Sequence, residues 1–180
     1  MNYLVFTNSS EIISSLNAGA ITMVINDLHG TTFQLKILGY QSPNVPIDSN
    51  RWDLNWLMIG ISIQTPSSRL EFSDPALLTW EVQRLIEWME SIGRGVALES
   101  EFWSLEGVIS FTFTLAQNQV DRVYLTVAIP LVENRVWIPV HYPLIWTEIM
   151  SKTRLVLTSH ELIKASQELA ADLSRYPMRK

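Results

Sequence analysis

The chain contains no cysteine. That absence excludes a disulfide framework, thiolate catalysis and any zinc or iron–sulfur site held by thiolates. A reducing cytoplasm is the expected location. Basic residues number 13 against 18 acidic ones and nowhere form a run long enough for a phosphate-binding stripe, so direct contact with nucleic acid is not expected. Glycine-rich phosphate loops are missing, and neither G-x-G-x-x-G, G-x-x-x-x-G-K nor the G-x-S-x-G elbow occurs. The three histidines, His29, His141 and His160, fall in different segments, and none has a second ligand at metal-binding spacing. No metal or other cofactor is expected. No segment reaches the roughly 20 apolar residues of a membrane span. The start "MNYLVFTNSSEII" lacks the basic opening and long apolar run of a signal peptide, so no contact with a membrane is expected.

What is present is apolar surface. Hydrophobic residues make up 47% of the 180 and charged residues 17%, enough to build one core and too short a chain for two comfortable ones. Alternation dominates the chain. In "TTFQLKIL" Phe33, Leu35 and Ile37 share one face, with Gln34 and Lys36 opposite. Leu57, Ile59, Ile61 and Ile63 alternate in the same way, and after "TPSS" Leu70 and Phe72 resume the pattern, which predicts a hairpin over 55–72. "ALESEFW", "GVISFTFTLAQ" and "DRVYLTVAIP" predict further strands, the last two joined by a turn. "AITMVIND" predicts another, and "NRVWIPV" an edge strand because Pro139 cannot donate to a central ladder. Strands with one apolar and one polar face, linked by short turns, form antiparallel sheets with one wet side.

Two helices interrupt this pattern. The first is expected over 74–92: Ser73 or Asp74 caps it, Pro75 opens it, Leu78, Val82, Leu85, Ile86, Met89 and Ile92 form its apolar stripe, and Gly93 stops it. The second is expected over 159–175, opened by a capping box of Thr158 and Glu161. "GYQSPNVPIDSNRWD" reads as a surface loop, and "PLIWTEIMSKTRLVLT" fits either a short helix followed by a strand or an excursion over the sheet edge. No repeat of 20 to 50 residues is found. The fold class is therefore α+β, a single domain of a largely antiparallel sheet, seven to nine strands in all, with two main helices packed on one face.

Acidic residues supply the chemistry there is to weigh. Glu99 and Glu101 share one face of a predicted strand, an arrangement that suits either an acid–base pair or a solvated strand face, and the solvated face is the simpler reading. Glu87 and Glu90 lie near each other on the first helix. Glu81, at the margin of the apolar stripe, reads as a partly buried acid with an architectural role. Trp56, Trp80, Trp88 and Trp103 are core by default and hot spots only where exposed.

The stretches "LKILGYQSP", "DLNWLMIGISIQT" and "FSDPALLTWEVQRLIEWMESI" resemble the WapI-type immunity family of bacterial proteins, in their order and in their spacing. "ESEFWSLEGVISFTFTLAQ" and the terminal "LAADLSRYPMR" extend the likeness, while the residues before Phe33 and the segment 130–157 depart from it as an N-terminal extension and a family-divergent insertion. The resemblance implies a cytoplasmic, non-catalytic protein that binds and neutralises the C-terminal domain of a cognate toxin. A net charge of -5 suits a basic toxin domain. The residues expected at such a surface are Asp53, Trp56, Glu87, Glu90, Glu99 and Glu101, on a monomer or a homodimer. The alternative is a structural or oligomerising module that pairs through an exposed strand edge, with an enzyme behind both.

Overall fold

A computed structural model describes residues 22–44, 46, 50–116, 121–130 and 150–180. The N-terminal residues and the predicted edge strand around Pro139, with His141, lie outside these. Along the described chain run β1 (Met23–Asn26), β2 (Thr32–Tyr40), α1 (Arg51–Asn55), β3 (Trp56–Gln64), β4 (Arg69–Leu78), α2 (Thr79–Gly93), β5 (Glu101–Trp103), β6 (Ser110–Leu115), β7 (Arg122–Pro130), β8 (Met150–Thr158) and α3 (Ser159–Leu173). The fold is α+β, as the alternating pattern predicts. Its strands divide into two antiparallel four-stranded sheets, β1-β2-β3-β4 and β5-β6-β7-β8, each in sequence order. Of the ambiguous segment 143–158, Met150–Thr158 form β8, and the residues before Met150 lie outside the described ones.

The two halves repeat one plan: a four-stranded meander whose last strand passes straight into a 15-residue helix. Each helix packs on the sheet of the other half. Trp88 of α2 lies against Phe102, Phe111 and Phe113 of the second sheet, and Arg84 sits over the Phe102 ring. Conversely, α3 lays Glu168 and Asp172 against the first sheet, where they accept hydrogen bonds from Val24 N and Ile37 N. Phe33 of β2 meets Phe111 of β6 edge to face at 5.9 Å, so both sheets and both helices enclose a common core. The alternating residues of β2, β3 and β7 fill it: Phe33, Leu35, Ile37, Leu57, Ile59, Ile61, Ile63, Val123, Leu125, Val127 and Ile129 are all buried. Each such side chain contributes ~1.5–3 kcal/mol through its removal from water.

Four sequence expectations change. Arg51, Trp52 and Asp53, read as the end of a surface loop, belong to α1. Ser73, Asp74 and Pro75 belong to β4, pairing with Gly60, Ile59 and Met58, and α2 opens only at Thr79. Proline is tolerated there because β4 is an edge strand, and a bulge between Leu57 and Met58 absorbs the local mismatch. The entry to the helix is held from inside it, by Glu81 accepting from the N–H of the capping residue, Leu78, at 2.9 Å.

The stop of α2 also moves, from Gly93 to Gly95. Gly95 has φ +71, its N–H reaches Ile92 O and that of Val96 reaches Ser91 O, the paired bonds of a Schellman ending. Gly93 serves instead at the helix crossing, where a Cβ would stand 2.5 Å from Ile163 Cγ1 and 3.1 Å from Ser159 O. Lys36, expected on the wet face of β2, is buried beside Asp172.

Candidate partner-binding surface

Buried carboxylates come first, because an acid held in a low dielectric is where acid–base chemistry would begin. Glu81 is 3% exposed and both its oxygens are engaged, one by Leu78 N and the other by Leu105 N at 2.6 Å, 24 residues along the chain. Burial pushes its carboxyl above the ordinary glutamate value, and the two backbone donors oppose that rise. Asp172 is likewise raised by burial, against the pull of Ile37 N–H, Arg175 and Lys36. Asp27 accepts from Val156 N of β8 with one oxygen and from His29 N and Thr31 N with the other.

These acids share one task, which is to terminate strand edges. Glu168 meets an outward N–H of β1, Asp27 one of β8, and Glu81 the N–H of Leu105 just beyond β5. An unpaired N–H left at a sheet edge is a template for pairing with another chain. The architectural reading of Glu81 holds.

A second cluster gathers the residues of the family-like motifs. Asn55 is fully buried; its Nδ2 donates to Arg51 O and Arg179 O, and its Oδ1 accepts from Arg179 N and Thr79 Oγ1. Tyr40 OH donates to Pro177 O, the Arg179 guanidinium lies 3.5 Å from the Tyr40 ring centroid, and its Nη1 reaches Ser42 O and Pro43 O. "GY", "NW", "TWE" and "YPMR" are thus a clamp fastening the C-terminal segment to α1, β2 and the start of α2.

The six expected surface residues fall into two groups. Asp53 and Trp56 lie at the clamp: Asp53 is exposed and accepts from Asn50 Nδ2, and Trp56 is half-buried, its carbonyl taking the Gln41 N–H. The exposed indole here is Trp52, 48% accessible, packed edge-on against Trp80 with Arg51 over the same ring. Trp52 sits in a segment read as a loop, where an exposed aromatic carries no periodic signal.

The other group surrounds α2. Glu87 is exposed and accepts from Gln83, and Glu90 pairs with Arg94 at 3.2 Å. Glu99 and Glu101 do not share a strand face, because Glu99 precedes β5 and its carbonyl is held by the Trp88 indole N–H at 3.0 Å. Both are exposed. Trp103, 45% accessible, lies on the same face of β5 as Glu101, and its indole N–H donates to Glu101 Oε2 at 3.1 Å. Val96, Leu98 and Leu105 are exposed nearby along the chain. From Gly95 to Asp121 the sequence holds four acids and no basic residue.

Among the described residues there is no group of three or more metal-ligating side chains, and no helix is long and apolar enough to cross a membrane. An open hollow of about 420 Å³ lies between α1 and the C-terminal segment, lined by Arg51, Leu54, Met178, Arg179 and Lys180. Both arginines are committed there, to Trp80 and Met178 on one side and to Tyr40 and the Ser42 and Pro43 carbonyls on the other.

No curated protein and no solved structure matches the chain. A family model does, over residues 23–177, which takes in both sheets, both long helices and nearly all of the clamp. The chain belongs to the WapI-like immunity protein family.

Proposed function

We propose that this protein acts as a stoichiometric immunity factor: it binds the C-terminal domain of a cognate toxin in the cytoplasm and blocks it, without catalysis of its own. Membership of the immunity family over residues 23–177 is the observation that carries this reading. The disposition of the acids supports it. The buried ones hold backbone N–H groups and so are occupied with architecture, whereas Glu87, Glu99 and Glu101 face solvent. Exposed carboxylates on a chain of net charge -5 draw a basic partner by long-range attraction and raise its association rate, an effect that salt weakens. In this reading Asp53, Trp56, Glu87, Glu90, Glu99 and Glu101 contribute to the surface seen by a basic toxin domain. Co-expression tests it. Cells producing the C-terminal toxin domain encoded immediately upstream should survive only when this chain is produced with it. Equal killing with and without the chain would sink the proposal.

A further inference from the structure

We infer that the outer edge of β5, with the exposed residues on either side of it, is where the partner docks, and that the partner supplies an extended segment with basic side chains which pairs with the main chain at Glu101 and Trp103. This rests on the immunity reading and specifies its contact. The register fixes the direction of the backbone. Ser104 N bonds Ile109 O and Phe113 N bonds Ser100 O, so Phe102, midway between them and opposite Phe111, turns its N–H and C=O toward β6. Glu101 and Trp103 therefore turn theirs outward, where they have no hydrogen-bond partner among the described residues.

The rest of this edge is closed on both sides. Glu81 takes Leu105 N at one end and the Trp88 indole takes Glu99 O at the other, which leaves a short gap in a molecule that places carboxylates on its β1 and β8 edges. β4 also ends a sheet, but Arg69 and Glu71 neutralise one another on it, Pro75 interrupts it, and it carries no exposed large hydrophobic residue.

The side chains select the occupant. Trp103 and Glu101 lie side by side on the solvent face of β5, tied by the indole hydrogen bond, and together offer a flat aromatic ring next to a carboxylate. That pair suits a lysine or arginine, by cation–π contact and charge together. Leu98 and Leu105 flank it with apolar surface, and Glu99 and Glu106 extend the negative field. The basic residues of the same sheet face stand away from β5: Lys152 and Arg154 are on β8, three strand spacings or roughly 14 Å off, and Arg122 is on β7, two strands across and at the far end of the strand from Ala128. A second copy of this chain is a poor occupant, because the stretch it would bring to the edge carries the same acids and no basic side chain to match them.

Calorimetry with the upstream-encoded toxin C-terminal domain tests this, using the full chain, Trp103→Ala and Glu101→Lys singly and combined, and Glu71→Lys on the other sheet as control. The expected result is an affinity loss of about 100-fold for the combined Glu101→Lys and Trp103→Ala variant and less than about 3-fold for the control. Hydrogen exchange adds a readout that side-chain contact alone would not move: the Glu101 and Trp103 amides should slow by about 100-fold on complex formation. Tight binding that neither variant weakens would overturn the edge while leaving the immunity function standing. An absence of binding by the unmodified chain would overturn the function and the occupant together. A dimer in sedimentation that Trp103→Ala converts to monomer would show that a second copy takes the edge.

Discussion

Replacing Asn55 with alanine removes four hydrogen bonds from a residue with no solvent exposure: 2.8 Å to Arg51 O, 3.0 Å to Arg179 O, 2.8 Å from Arg179 N and 3.2 Å from Thr79 Oγ1. At a net ~0.5–1.5 kcal/mol each, the gross loss is roughly 2–6 kcal/mol. The C-terminal groups can turn to water once released, which places the expected cost at about 2–3 kcal/mol. Urea unfolding should show this as a lower midpoint with an unchanged slope, and the melting temperature should fall by roughly 5–10 °C. Half of the bonds run to Arg179. In a chain shortened to end at Met178 the same substitution should therefore cost only about half as much, a non-additivity that a double-mutant cycle reads directly. Asn55→Asp should be at least as damaging as alanine, because it points a carboxylate oxygen at two carbonyls. A loss below about 0.5 kcal/mol, or the same loss in both chain lengths, would refute the clamp.

Gly93→Val should destabilise by ~1–3 kcal/mol, because its Cβ would stand 2.5 Å from Ile163 Cγ1, and adding Ile163→Ala should recover part of that in the same unfolding assay. Gly95→Ala should cost ~1–2 kcal/mol through its φ of +71 alone, since the added methyl would point into open space. The pH dependence of stability should carry the mark of Glu81. Its folded pKa is raised, so the folded state holds a proton that the unfolded chain has released, and this group's contribution falls as pH rises from about 4.5 through the folded value. Glu81→Gln should make the slope of unfolding free energy against pH more positive in that window, and an unchanged slope would show that the buried carboxyl is not raised.

Much of the fold is legible in the sequence because side-chain alternation records burial directly. Every aliphatic residue assigned to the inner face of β3 and β7 is buried. The limits of legibility are equally physical. "SDP" is a strong local signal for opening a helix, yet pairing with β3 carries the strand three residues further, to Leu78, a long-range outcome that no local motif encodes. Leu115 continues the alternation of β6 but is 65% exposed, although Val123 opposite it is buried, for the three-residue β5 stops at Thr112 and does not flank it. The twofold plan of the chain is invisible to a search for sequence repeats, because the two halves share strand order and helix position without sharing residues.

The surface divides in the same way. Glu87, Glu99 and Glu101 are exposed as expected, because charge alone predicts exposure. The pairing of Trp103 with Glu101 follows from strand parity, whereas the opening at the β5 edge depends on where α2 sends Glu81 and Trp88. Sequence spacing does not show that α2 packs on the sheet that follows it. Within the family-like stretches Tyr40, Asn55, Thr79, Pro177 and Arg179 fasten the chain's end, whereas Glu87, Glu99 and Glu101 of the same stretches face solvent.

The most direct test of the immunity function is a titration of the purified chain into the C-terminal domain of the upstream-encoded toxin, with toxin activity read in the same samples. The expected result is a one-to-one complex with a Kd near ~10 nM or tighter, equivalent to about -11 kcal/mol, and loss of toxin activity in proportion to the complex formed. Full toxin activity in the presence of excess chain, with no heat of binding, would contradict it.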